Sequence, residues 1–193
     1  MSVEIDQHNA VILPEAVFII GTYDEAGIPN AMNAAWGTQT DFNEITISLS
    51  KHKTTDNLEK TGAFTVAYGT VDTVTISDYF GVESGKKVNK IAKAGCHVRK
   101  SDNVNAPIIE EFPLTLECKV KSWNAEEGIL IGTVVAQQAD ESILTDGHVD
   151  LDKMKPIIYD SSIQAYRSVG PVVATAFKEG FKIKQSEKQW DSQ

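Results

Sequence analysis

Cysteine is scarce: 193 residues contain only Cys96 and Cys118, far apart in the chain. Two such residues make neither a disulfide framework nor a structural zinc site. They are expected to be reduced thiols, as is usual in the cytoplasm. Long apolar runs are also missing. The opening stretch MSVEIDQHNAVILPEAVFII has no basic start, and Pro14, Glu15 and Gly21 interrupt its apolar residues. Neither a signal peptide nor a membrane span is therefore expected. Positive charge is outnumbered, with 18 Lys and Arg against 27 Asp and Glu, a net charge of −9. That balance argues against a nucleic-acid surface. The four histidines, His8, His52, His97 and His148, lack metal-ligand spacing, so no metal is expected. There is no glycine-rich dinucleotide loop, no P-loop and no serine nucleophile elbow. Asp150 and Asp152 fall in a polar loop, where solvation explains them. No catalytic residue is assigned.

The remainder reads as one soluble globular domain spanning residues 1–193, with 41% hydrophobic and 23% charged residues. Residues 16–23 are rich in strand formers. DEAG turns, with Gly27 able to take positive φ, and a second strand follows Pro29. In EITISLS, Ile45, Ile47 and Leu49 point one way, and Thr46, Ser48 and Ser50 the other. DNLEKTG reads as a short helix, with Asp56 and Glu59 at capping-box spacing and Gly62 as its stop. AFTVAY is a strand, VDTVTISDYFG a helix, and residues 84–95 a further helix ending at Gly95. FPLTLECKVKSW places Leu114, Leu116, Cys118 and Val120 on one face, NAEEG turns, and ILIGTVVAQQAD returns. KPIIYDSSIQAYRSVG mixes a short strand with a loop, and the tail from Lys182 is polar and loose. Hairpin-linked strands with few helices predict a mainly β fold, an antiparallel barrel with helical additions. The regular strand–helix alternation of a doubly wound sheet is absent.

Three stretches carry chemistry. ITISLSKHKTTDN places Ser48, Ser50, Lys51, Lys53, Thr54 and Thr55 at a strand-to-helix junction. Hydroxyls, lysines and helix-start N–H groups suit a phosphate; they equally suit an ordinary capped helix. SGKKVNK puts Lys86 and Lys87 in a helical first turn behind Ser84 and Gly85, where cations oppose the helix dipole unless an anion sits there. On that helix Lys90 shares a face with Lys86. NAMNAAWG sets small residues before Trp36, which can wall a flat ligand or fill the core.

Taken in order, YDEAGIPNAMNAAW, ISLSKHKTTDNL, DYFGVESGKKVNKIAKAG, APIIEEFPLTLECKV and YRSVG resemble the flavin reductase-like, FMN-binding split-barrel family, most closely its flavoredoxin branch. The resemblance covers residues 14–170. It implies a six-stranded Greek-key barrel that forms a homodimer, with FMN bound non-covalently near the interface. Asn33, Ala34, Ala35 and Trp36 match the stretch lining the isoalloxazine ring. Ser48, Leu49, Ser50 and Lys51 match the strand end facing the ribityl chain and phosphate, with Lys53 beside them. Thr54 and Thr55 match the hydroxyls at the next helix start. Ser84, Gly85 and Lys86 match a Ser-Gly-Lys/Arg segment, Lys90 matches a family lysine, and Tyr159 an aromatic near the flavin. Two departures stand out. Asp41, Phe42 and Asn43 replace a pair of prolines, and the hairpin near Glu127 lacks a histidine. The implied function is an oxidoreductase passing electrons from NAD(P)H through FMN to a flavin or small acceptor. The alternative is a non-enzymatic electron-transfer protein.

Overall fold

The computed structural model describes residues 1–2 and 11–186. His8 and residues 187–193 lie outside the described residues. The strands are β1 (Glu15–Ala16), β2 (Phe18–Tyr23), β3 (Pro29–Ala34), β4 (Gly37–Asp41), β5 (Glu44–Ser48), β6 (Ala63–Tyr68), β7 (Val98–Lys100), β8 (Pro107–Ile109), β9 (Leu114–Asn124), β10 (Ile129–Ala139), β11 (Leu144–Thr145), β12 (His148–Val149), β13 (Ile157–Asp160) and β14 (Ala165–Ser168). The helices are α1 (Lys53–Thr61), α2 (Val74–Val82), α3 (Lys90–Lys93), α4 (Leu151–Met154) and α5 (Phe181–Ser186). No helix among the described residues is long and apolar enough to cross a membrane.

Seven strands form one antiparallel sheet in the order β3-β2-β6-β9-β10-β5-β4. The β5–α1–β6 connection skips β10 and β9 in the sheet order, the long return of a Greek key, and α1 packs against β2 and β3. The sheet curls into a half-barrel of the split-barrel kind. A Cβ added to Gly37 of β4 would approach within 2.9 Å of the Phe18 ring of β2, so the two limbs of the curl meet there. The sheet has seven strands where the resemblance implied six; β4, at its edge, is short and largely exposed.

Alternation along the strands explains why the sheet is buried on both sides. Phe18 and Ile20 of β2 join Ile45, Ile47, Phe64 and Leu130 inside the curl. Ile19 turns outward beneath Phe80 of α2 and Ile91 of α3. The β2–β3 hairpin turns as expected. Gly27 has φ +76°, and the Asp24 carboxylate accepts from the N–H groups of Ala26 and Ile28. Cys96 and Cys118 are both free, and burial pushes the Cys118 thiol up to about 12.

Several local expectations are corrected. α1 begins three residues earlier than Asp56, with His52 at its N-cap. Thr55 Oγ1 accepts from the His52 N–H and donates to the His52 carbonyl, 2.9 Å each way. Asp56 and Glu59 therefore form no capping box. Asp56 pairs with Lys86, and Glu59 accepts from the Trp123 indole. Residues 84–95 are not one helix. The chain turns once, with the Lys87 and Val88 N–H groups on the Ser84 carbonyl, and α3 then starts behind the Asn89 side-chain cap. Lys86 and Lys87 thus oppose no helix dipole, and Lys86 and Lys90 share no helical face. The stretch near Tyr159 is a hairpin, β13–β14, which also pairs with β1. The polar tail includes α5.

Candidate functional site: a two-lobed cleft

Two adjoining cavities, of about 510 and 330 Å³, run between the β3 and β5 strand ends and the helix α2. Both are within the usual size range of ligand sites. They share Met32, Asn33, His52, Gly81 and Val82, so they form one cleft with two lobes.

The larger lobe is aromatic. On one side the chain leaves β3 through Ala34, Ala35 and Trp36, and the Trp36 carbonyl accepts from the Ser48 N–H at 2.7 Å, locking β3's exit to β5's end. Small alanines make a floor that a flat molecule can approach. Trp36 does not fill the core; it is 63% exposed at the rim. Opposite stand Asp78, Gly81 and Val82 of α2, with Tyr159 and Tyr166 from the β13–β14 hairpin. The tyrosine rings sit 6.0 Å apart. Asn33 Nδ2 donates to the Ser77 carbonyl at 2.9 Å, fastening α2 across the cleft.

The smaller lobe is basic. Lys51, Lys53 and Thr54 come from the start of α1, while Ser84, Gly85 and Lys86 come from the turn after α2. α1 presents first-turn N–H groups here, which have no partner within the helix. Asn30 Nδ2 donates to Thr54 Oγ1 at 2.8 Å, leaving the Thr54 hydrogen free to point elsewhere. Gly85 permits this arrangement, because a Cβ there would lie 2.0 Å from Asn30 Oδ1. Lys90 is 5% exposed and donates to the Phe80 carbonyl at 2.7 Å, in the last turn of α2. Burial pushes the Lys90 ammonium down to about 8, against the opposing pull of Glu83. Lys53 pairs with Asp24 at 3.2 Å and Lys86 with Asp56 at 2.7 Å. Lys51 has no ion-pair partner among the described residues.

Of the residues singled out in the sequence, Asn33, Ala34, Ala35, Trp36, Ser48, Leu49, Ser50 and Tyr159 line the aromatic lobe. Lys51, Lys53, Thr54, Ser84, Gly85, Lys86 and Lys90 line the basic one. Thr55 lines neither; its hydroxyl is committed to the His52 backbone. Sequence reasoning missed Asp78, Gly81, Gln164 and Tyr166, and noted Asn30 only as a flank of the small residues in NAMN. Asn30 stands three residues before Asn33 in NAMN, and Asp78 directly precedes the YFG of α2. The pairing of Asp78 with Tyr166 spans 88 positions and leaves no local signal. His52 sits where the lobes meet.

A curled antiparallel half-barrel whose strand ends open on a cleft, basic at one end and aromatic at the other, defines a split-barrel ligand-binding protein. The family model described as flavin reductase like domain matches residues 11–162, and the chain belongs to that family. The chain is similar to the flavoredoxin of Desulfovibrio vulgaris (Miyazaki F) at 32% identity and a TM-score of 0.89, covering 93% of this chain and 100% of that one. It also resembles flavoredoxin from Methanosarcina acetivorans, at 27% identity and a TM-score of 0.86, with 95% and 99% covered. An FMN-binding protein from Thermus thermophilus with bound 1-cyclohex-2-enone shares the fold at 19% identity, with a TM-score of 0.70 and 91% and 100% covered. No curated protein matches.

Proposed function

We propose that the cleft binds FMN non-covalently and that the protein is a flavin reductase-like oxidoreductase, moving electrons from NAD(P)H to a flavin or small acceptor. The observation carrying this reading is the polarity of one continuous cleft. Its basic lobe joins a helix start, a buried threonine hydroxyl and four lysines, and its aromatic lobe joins Trp36, Tyr159 and Tyr166 over an alanine floor. Such a cleft fits a phosphate tail at one end and a flat ring at the other. Bound FMN would supply the hydride and one-electron chemistry.

The residues then divide the work. Lys51, unpaired among the described residues, and the first N–H groups of α1 meet the phosphate; a charge-assisted contact of this kind contributes about 1.5–3 kcal/mol. Lys53 and Lys86 act through partly neutralised pairs. Ser48 and Ser50 line the stretch between phosphate and ring. Trp36 and Tyr159 flank the ring and shield it from water. Trp36 and Val82, exposed at the rim, favour a homodimer with the cofactor near the interface. Free thiols fit a reducing compartment such as the cytoplasm.

A second reading, a non-enzymatic electron carrier, draws support from the net charge of −9, which can steer a basic protein partner toward the exposed Trp36 edge. Two measurements test the proposal. Lys51→Glu is expected to weaken FMN at least about tenfold and riboflavin less than about twofold; equal losses remove Lys51 from the phosphate. Adding NADH or NADPH to the FMN-loaded protein should bleach its visible absorbance. Reduction by dithionite but by neither nucleotide turns the assignment to the carrier.

A further inference from the structure

Residues 169–186 run on past β14 as a segment that its own chain leaves uncovered. Every residue from 167 to 184 is exposed, yet the stretch is rich in large apolar side chains. Val172, Val173 and Phe177 are 86%, 95% and 96% exposed, and Val169 and Phe181 are exposed beside them. Single apolar side chains are ordinary on a surface; five in one continuous segment make a face. The Val169 N–H reaches the Pro156 carbonyl at 3.3 Å. Beyond it the turn bonds are local, Lys178 N–H to the Thr175 carbonyl and Phe181 N–H to the Lys178 carbonyl.

The segment is also basic in an acidic chain. It carries Lys178, Lys182 and Lys184 against Glu179, while the whole chain has a net charge of −9. Lys182 pairs with Glu179, and the Lys184 ammonium lies 5.9 Å over the Phe181 ring. Lys178 has no ion-pair partner among the described residues. Its point of departure matters too. Val169 comes three residues after Tyr166, which walls the aromatic lobe, so the segment leaves the body beside the rim where Trp36 and Val82 are exposed. Exposed carboxylates stand near that rim: Asp78 on α2, and Glu126 and Glu127 in the β9–β10 turn, whose Gly128 carbonyl accepts from the Leu49 N–H at 2.7 Å.

We propose that this segment is an exchanged arm: each copy of the chain lays residues 169–186 across the Trp36–Val82 rim of a second copy, with Val172, Val173 and Phe177 on the apolar rim and Lys178 toward its carboxylates. The inference rests on the homodimer reading above and adds the element that closes the dimer. Extended, residues 169–177 reach about 27 Å, enough to leave one copy and cross the rim of the next. A buried phenylalanine covers about 150–250 Å², so the two Phe177 rings supply about a fifth to a third of the ~1,600 Å² of a standard interface, and the valines add to it. A second copy is the occupant that fits by charge. Two acidic bodies repel, and a basic arm laid between them offsets that repulsion at the contact.

Sedimentation velocity over a dilution series tests the arm, with circular dichroism and thermal melting as controls of folding. Val173→Asp combined with Phe177→Ser alters only exposed side chains. It should leave the spectrum and melting of the dissociated chain unchanged and raise the dimer dissociation constant at least about tenfold. Lys178→Glu should raise it about two- to fivefold. Disulfide trapping separates exchange from folding back. A chain carrying Phe177→Cys is mixed with a differently tagged chain carrying Val82→Cys and oxidised. A mixed disulfide is expected, and neither variant mixed with wild type should give one. A double variant that dimerises as firmly as wild type, or no mixed disulfide between the two cysteine variants, overturns the arm and leaves the homodimer reading standing. A wild-type chain that is monomeric at every concentration overturns the homodimer reading and the arm with it.

Discussion

Lys90 is unusual for a lysine: its ammonium is enclosed and tied to the end of a helix. The Phe80 carbonyl is among the four that α2 cannot satisfy internally. A cation at that end also meets the helix dipole favourably. The cost appears in its acidity, lowered from 10.5 to about 8 by burial. Below about pH 8 the lysine is charged in the folded and unfolded chain alike. Between there and 10.5 only the unfolded chain keeps the proton, so the stability of the apoprotein rises with pH across that window. An anion in the basic lobe acts in the opposite sense, because it favours the protonated form. FMN affinity should be flat below about pH 8 and fall above it, by up to about tenfold per pH unit. Riboflavin affinity should stay flat throughout. Fluorescence titration from pH 7 to 10 checks this, with Lys90→Gln expected to abolish the slope. A slope shared by FMN and riboflavin would place the ammonium beside the ring and not the phosphate.

At the level of elements, much was legible where a local rule decides. Ile45, Ile47 and Leu49 alternate as a half-buried strand should, and all three are core residues. Gly62, at φ +63°, ends α1 as a glycine stop. Errors arose where a distant partner overrode a local signal. Asp56 looked like a cap but sits beside Lys86 of another segment. Residues 84–95 have helical composition, yet Asn89 caps a fresh helix so that Lys90 can reach back to α2. The cleft residues were accessible because they cluster in short motifs, whereas Asp78 and Tyr166 meet only through the fold. Glu117 is the clearest such case. On β9 it looks like a solvent-facing residue between Leu116 and Cys118, but it is 2% exposed. Ser101 Oγ, Asn103 Nδ2 and Gln138 Nε2 all donate to its carboxylate, which ties the loop before β8 to β9 and β10. Burial alone would raise its pKa, but these hydrogen bonds outweigh that and hold it below 4.5. Its stabilisation is present above the unfolded-state value and lost as pH falls through the folded one. Glu117→Ala strands three donors and should cost about 3 kcal/mol in urea unfolding at pH 7. The gap to wild type should narrow on acidification. A gap unchanged at acid pH would mean the carboxylate's charge contributes nothing.

On the scale of the molecule, the cleft is open on the side where Trp36 and Val82 stand, 63% and 76% exposed. Large apolar side chains at the rim of a ligand site usually mark a surface that something covers. If a second copy covers this one, FMN binding and dimerisation must be linked, and the linkage is reciprocal: whatever factor FMN adds to the dimer constant, dimerisation adds to FMN affinity. Sedimentation velocity over a dilution series should therefore show the FMN-loaded protein persisting as a dimer at concentrations where the apoprotein has dissociated. The net charge of −9 opposes association of like copies and is screened by salt, so the dimer should be firmer at about 0.3 M salt than at 0.02 M. Trp36→Asp places a charge in the covered surface and should weaken the dimer and FMN together, whereas Phe42→Asp, at a hairpin tip away from the cleft, should leave FMN affinity alone. A protein that binds FMN tightly while remaining monomeric at every concentration would show that one chain completes the site, with Trp36 alone covering the ring.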